Sequence, residues 1–359
     1  MRKYYLDNIR WITVVIVVLY HVLYMYNAEG IVGVVGKITD LDVQYYDVFQ
    51  YIVYPWFMVL LFIVSGISSR LYLEKHTDRE FVRSRTRKLL VPSTIGLFAF
   101  QFIQGYVNVS LGGFFESAPD IPAVVKFFIC IASGIGVLWY IQLLWIYSML
   151  LVAIRRIEKD RLWNLGGKAS LPVLIALVLP VYGSAQILNT PIIAVYRIGL
   201  YLFIFLLGYF VFSHDAVIDI LKRWFPLFIC VAAALGTAFC VRYFGGNYAD
   251  YPINRTVLFV SYSWFTCLAI LGGMAKYCDR ANAFTQWMNR WNFGLYVFHY
   301  LGISSVGLFI GKKGILPAPA VYLLSLVAGF AGAYLLYEII SRIPGYRWAV
   351  LGMKGKDDR

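Results

Sequence analysis

Apolar residues along this chain come in runs of about 20, separated by short polar stretches. Ten runs can be drawn, at roughly 9–27, 48–70, 89–110, 135–154, 171–185, 191–213, 224–244, 255–275, 291–311 and 318–341. A helix rises about 1.5 Å per residue, so about 20 apolar residues cross a hydrocarbon core. The pattern predicts an all-α membrane protein with about ten transmembrane helices. The run at 171–185 is short and carries Pro172 and Pro180, which makes it the weakest of the ten. Residues 122–134 are also apolar. They read as a re-entrant or interfacial piece before the fourth span, with a separate span as the alternative.

Composition strengthens this picture. The chain is 60% hydrophobic and 14% charged, whereas a soluble domain is about half apolar and about a quarter charged. The mean hydropathy is +0.69. Aromatic residues at 18% suit a protein with two membrane–water interfaces. The net charge of +13 would suggest nucleic acid if the basic residues were clustered. They are instead sorted: 25 of the 32 Lys and Arg fall in alternate loops and the tails, six fall on the other side, and Arg197 lies inside a span. The first loop of the sparse side is acidic, with Glu29, Asp40, Asp42 and Asp47. Positive loops face the cytoplasm, so both termini are expected there, with the basic charge beside anionic lipid and no nucleic-acid partner.

The first run is followed by bulky Tyr and Met rather than a signal-peptidase site, so it is expected to remain as a span. The five cysteines show no metal or redox spacing and read as isolated small hydrophobes. No repeat, linker or soluble segment stands out, and residues 1–359 read as one transmembrane domain.

Ionisable groups at membrane depth need an account, because a charged one costs about 2.5 kcal/mol or more. In "NIRWITVVIVVLYHVLYMY" (8–26), Arg10 and His21 are eleven residues apart. That is close to three helical turns, so both lie on one face, about 16 Å apart along the axis. Asp7 precedes Arg10 by three residues and can pair with it. In "WNFGLYVFHYLG" (291–302), His299 sits at comparable depth with Tyr296 three residues before it. Two such imidazoles can line one cavity; a packing histidine partnered by tyrosine is the plainer alternative. In "LLFIVSGISSRLY" (60–72), Ser65 and Gly66 allow close helix approach, or leave room for a ligand tail. Arg83, Arg85, Arg87 and Lys88 precede the third span and can hold phosphates, although topology alone also places cations there. Arg197 can bind an anionic acceptor or pair with a carboxylate, and Glu338 has Arg342 four residues on. No phosphate loop, dinucleotide fingerprint, zinc motif or nucleophile elbow is present. No span carries the closely spaced carboxylates expected of a proton or cation path.

The ordered blocks "YLDNIRWITVVIVVLYH", "LFIVSGISS", "RSRTRKLLVPSTIG", "VLWYIQLLWIY", "FLLGYFVF", "FGLYVFHYLG" and "RIPGYRWAVLGMK" resemble the acyltransferase 3 family of bacterial integral-membrane acyltransferases. The likeness runs from Tyr5 to Lys354. The resemblance implies transfer of an acyl group, often acetyl, from cytoplasmic acyl-CoA to a hydroxyl of a carbohydrate or lipid-linked glycan, in a multi-pass protein of the bacterial inner (plasma) membrane. It makes Arg10 and His21 the essential pair, with Arg83, Arg85, Arg87 and Lys88 serving the donor's phosphates. Ser65 joins them if its small-residue face leaves room for the donor. His21 would act as general base or carry the acyl group, with Tyr296 and His299 as candidates to steady the oxyanion. Acyl-CoA is then a co-substrate, and no tightly bound cofactor or metal is expected. The family's C-terminal SGNH hydrolase-like domain, found in some members, is not expected here, and the basic run has one Arg more than the family spacing. The rival readings are a transporter or flippase of a glycan or lipid, and a membrane scaffold or sensor.

Overall fold

The computed structural model describes residues 2–27, 33–41, 45–189 and 196–355. Residues 191–195 of the expected sixth span, the acidic Glu29 and Asp42, and the tail from Lys356 lie outside the described residues.

Thirteen helical segments position the site: α1 (Tyr4–Met25), α2 (Tyr45–Leu73), α3 (Asp78–Leu111), α4 (Ala123–Ser133), α5 (Gly136–Glu158), α6 (Leu171–Ser184), α7 (Ile198–Phe210), α8 (Asp215–Arg223), α9 (Phe225–Tyr243), α10 (Val257–Tyr277), α11 (Ala283–Gly311), α12 (Ala318–Ile340) and α13 (Pro344–Leu351). No strand occurs among the described residues. The protein is an all-α, multi-pass membrane protein. Eight of these helices are long and apolar enough to cross a membrane, and nine if the bent pair α7–α8 forms one span. The expected count was ten. The difference lies at 171–185, where α6 is a short apolar helix, and at the expected sixth span, where α7 is short and bends by 104° into α8. The expected piece at 122–134 is likewise the short helix α4.

Lipid explains why α1 is a helix at all. Its centre, Val14–Val15–Ile16–Val17–Val18, is a β-branched run that favours strand in water. In hydrocarbon each backbone N–H and C=O must bond within the segment, which overrides that preference. Breaks in the helices have local causes. In α2 the ladder opens at Tyr54–Trp56 around Pro55, which has no N–H. In α3, Thr86–Leu90 forms a π turn just ahead of Pro92, and Leu97–Gln101 forms a second.

The chain divides into two compact units. One comprises Met1–Thr13, Val48–Val82 and Ile146–Thr285; the other comprises Val14–Asp47, Arg83–Trp145 and Gln286–Arg359. In the first unit, α2 and α7 touch backbone to backbone. A Cβ on Gly66 would fall on the carbonyl oxygen of Phe205, and one on Gly208 on that of Ile63. Gly66 is therefore a close-packing residue. Its neighbour Ser65 is buried. The start of α1 is tied down in this unit. Asn8 Nδ2 donates to the carbonyls of Cys278 and Arg280 at 2.7 and 2.9 Å, and the Tyr5 N–H donates to Asp279.

In the second unit, α3 lies against α4 with Gly105 over the Cys130 carbonyl. α11 crosses α12 with Gly302 over the Ala328 carbonyl, and the later half of α1 reaches the same place through Val18, which faces Gly329 beside Ile303. That packing brings His21 and His299 together.

Candidate functional site

His21 and His299 meet in the second unit. His21 Nδ1 lies 3.0 Å from His299 Nε2, with ring centroids 5.1 Å apart. His299 is fully buried, and its Nδ1 lies 3.0 Å from the Leu295 carbonyl and 2.9 Å from that of Tyr296. Carbonyl oxygens only accept, so His299 Nδ1 carries the proton. In a neutral ring its Nε2 is then an acceptor, and the His21 Nδ1–H donates to it. This assignment leaves the lone pair of His21 on Nε2. The network thus presents one basic nitrogen, on the ring that is only partly buried. Around it stand the rings of Tyr300 at 5.1 Å, Tyr20 at 5.5 Å and Tyr24 at 6.3 Å, all edge-on. The Tyr300 hydroxyl donates to the Gly33 carbonyl.

Two expectations change in this geometry. His299 has its only N–H committed to backbone carbonyls, so in this tautomer it offers no donor to an oxyanion, and its Nε2 accepts from His21. Tyr296 has a single hydroxyl proton, which goes to the Val137 carbonyl rather than to His299. Its ring is edge-on to Tyr140. The sequence paired Tyr296 with His299 by helical spacing. The spacing is right, but the hydroxyl points to a different neighbour.

Arg10 belongs to the first unit. Its Nη1 donates to Asp7 Oδ1 at 2.8 Å, as the i, i+3 spacing suggested, and its Nη2 donates to the Ser68 hydroxyl. Ser68 in turn donates to the Val64 carbonyl at 2.6 Å. In the sequence Ser68 is marked only by its place three residues beyond Ser65 in the same small-residue stretch. α1 is unbroken from Tyr4 to Met25, so the three-turn spacing of Arg10 and His21 stands.

The basic run lies in the second unit. Arg83 and Arg85 end the first helical stretch of α3, and Arg87 and Lys88 ride on the π turn that follows. Arg83 and Lys88 are exposed, and Arg85 and Arg87 partly so. The C-terminal helix α13 closes on this run. Gly352, in the left-handed region at φ 64°, sets its backbone against Arg87 and Lys88, where a side chain would collide with the Arg87 carbonyl. α13 also carries Arg347, whose Nη2 donates to the Lys354 carbonyl.

A row of buried polar side chains on α3 also escaped the sequence reading. Gln101 Nε2 donates to the Val297 carbonyl at 3.4 Å. Gln104 Nε2 donates to Ser304 at 2.9 Å and to Asn108 at 2.7 Å. The Ser93 carbonyl accepts from Gln142 at 3.0 Å. The steps from 101 to 104 to 108 mark one helix face, a signal legible in the sequence. These residues join α3 to α5 and α11 in the way polar groups bind membrane helices together.

The chemistry available is proton transfer at one oriented imidazole, with a cluster of cations carried on the same unit. No group of three or more His, Cys, Asp or Glu that could hold a metal ion occurs among the described residues. A family model described as an acyltransferase domain matches residues 3–338. No curated protein and no solved structure matches the chain.

Proposed function

We propose, for a chain that belongs to the acyltransferase 3 family and is a membrane acyltransferase, that the donor is cytoplasmic acyl-CoA and the acceptor a hydroxyl of a carbohydrate or lipid-linked glycan. The acyl group is acetyl. The family match runs through both units without a break, which supports reading the chain as one catalytic domain. The sorting of Lys and Arg supports cytoplasmic termini in a bacterial inner membrane.

The observation that carries the reading is the histidine pair. His21 Nε2 takes the proton of the acceptor hydroxyl as that oxygen attacks the thioester carbonyl carbon. The tetrahedral intermediate collapses and the C–S bond breaks. The departing thiolate takes the proton back from the imidazolium, so free coenzyme A and an ester are formed and the base is restored. His299 positions the base throughout. Arg83, Arg85, Arg87 and Lys88 serve the phosphates of the donor, since guanidinium groups bind phosphate oxygens through charge-assisted hydrogen bonds. Arg10, held by Asp7 and Ser68, is the other member of the essential pair that the family resemblance implies.

The test is transfer of radiolabel from acetyl-CoA in membranes holding the wild type or His21→Ala, with free coenzyme A followed in parallel. Label is expected in a glycan or lipid fraction with the wild type only. Equal transfer by both proteins overturns the role of His21. Glycan or lipid movement without coenzyme A release would favour transport instead.

A further inference from the structure

Arg197 is the group this mechanism does not use. It stands at the start of α7, in the first unit, with 1% of its surface exposed. The sequence left two readings open: an anion held by Arg197, or a carboxylate paired with it. Among the described residues Arg197 has no ion pair. Its Nε and Nη2 both donate to one oxygen, the Tyr201 hydroxyl, at 3.1 and 2.7 Å. The guanidinium is otherwise walled by aromatic rings, with Tyr201 and Phe259 at 5.0 Å and Tyr54 at 5.6 Å from their centroids. Its Nη1 is buried and has no hydrogen-bond partner among the described residues.

Ring faces attract a cation, and a neutral hydroxyl satisfies two of its N–H groups. Neither neutralises the charge. A buried cation is ordinarily kept only with a counter-charge, and at membrane depth such a group marks a ligand path by default. A second guanidinium, that of Arg255, bonds the 186–189 segment. Arg255 is partly exposed and bonds the Gln186 side chain and carbonyl, along with the Tyr251 hydroxyl. Arg197 meets the same short segment through its backbone pairing with Asn189. Arg255 likewise makes no ion pair among the described residues. On the topology expected from the basic loops, both face the outer side.

We infer that Arg197 is the anchor of an oxyanion site, its Nη1 donating to a phosphate or carboxylate oxygen of a bound ligand, with Arg255 as the second cation at the more exposed edge. The planar guanidinium suits this role because its other two nitrogens are already fixed by Tyr201, leaving Nη1 aimed and preorganised. The inference rests on the uncompensated buried charge and does not depend on the acyl-transfer chemistry.

The test is thermal unfolding of the full chain, purified in a neutral detergent and titrated separately with sodium phosphate, sodium glucuronate and a short-chain phosphatidylglycerol. Sodium chloride at equal ionic strength is the control. At least one oxyanion is expected to raise the midpoint saturably, by about 2–4 °C over chloride. A response to phosphate or glucuronate identifies a soluble acidic ligand as the source. A response to phosphatidylglycerol alone identifies a lipid headgroup. Arg197→Met should remove the response whatever its starting midpoint, and Arg197→Lys should need about tenfold more probe because it loses the fixed fork. If Arg197→Met yields no folded protein, Arg197→Lys decides, and an unchanged titration overturns the site. So does a wild type that responds no more than it does to chloride, or an Arg197→Met protein that responds like the wild type. Because no acyl transfer is measured, failure here leaves the reaction standing, and failure of the reaction leaves this site standing.

Discussion

The histidine pair of the second unit and the arginine cage of the first both set ionisable groups among apolar side chains, and they do so in opposite ways. At the pair, every proton has an acceptor. His299 gives its N–H to two carbonyls, His21 gives its own to His299, and what remains is a lone pair. At the cage, a charge has no counter-charge among the described residues and what remains is the donor nitrogen Nη1. A network with one acceptor left over is suited to take a proton. A cation with one donor left over is suited to hold an anion. Buried polar groups are informative in this way because the low-dielectric interior penalises whatever is left unsatisfied, so a remainder that persists points to a use.

The comparison can be broken most severely at His21. Its removal in His21→Ala should lower acyl transfer by about 10²–10⁴-fold, the usual worth of a general base, with the protein still present in the membrane. A fall of less than about tenfold would place the base elsewhere. The cage is the next target. Tyr201→Phe takes away the one oxygen bonded to the Arg197 guanidinium among the described residues, which should destabilise the protein by about 1.5–3 kcal/mol, the worth of hydrogen bonds to a charged group. Adding Arg197→Met should restore most of that loss, because it removes the buried charge that Tyr201→Phe leaves without a partner. Additive losses in a denaturant or thermal series would show that Tyr201 matters for packing alone.

His299 sharpens the contrast. His299→Phe fills the space but removes the nitrogen that accepts from His21 Nδ1, and transfer should fall about 10–100-fold. His299→Gln, whose amide oxygen can accept that proton, should recover most of the rate. Equal rates for the two variants would reduce His299 to a filler. The smallest effect belongs to Ser68→Ala, which removes one of two partners of Arg10 and should cost about 0.5–1.5 kcal/mol in transfer efficiency. Asp7 still holds the side chain there, so a loss as deep as that of His21→Ala would mean Ser68 does more than support.

Apolar run length by itself determined that this chain is a helical membrane protein, because hydrocarbon leaves a backbone no partner outside its own helix. Lengths decided most of the spans as well. They failed at 171–185, where composition was apolar enough but the helix is short, and at the bend between α7 and α8, since a run of apolar residues says nothing about where a helix turns aside. The three-turn spacing of Arg10 and His21 and the pairing of Arg10 with Asp7 were legible, being local to one helix. The bond between His21 and His299 was not: 278 residues separate them, and only the packing of α1 beside α11 and α12 makes the contact. Similar depth in the membrane hinted that the two rings could share a cavity. Which nitrogen faces which, and therefore which one is left basic, follows from the carbonyls of Leu295 and Tyr296 and from the crossing of the helices. Arg197 shows the same division. Its place in a span was visible at once, but the absence of a carboxylate beside it among the described residues could be learned only from the tertiary structure, because charge compensation depends on distances between residues that are far apart in the chain.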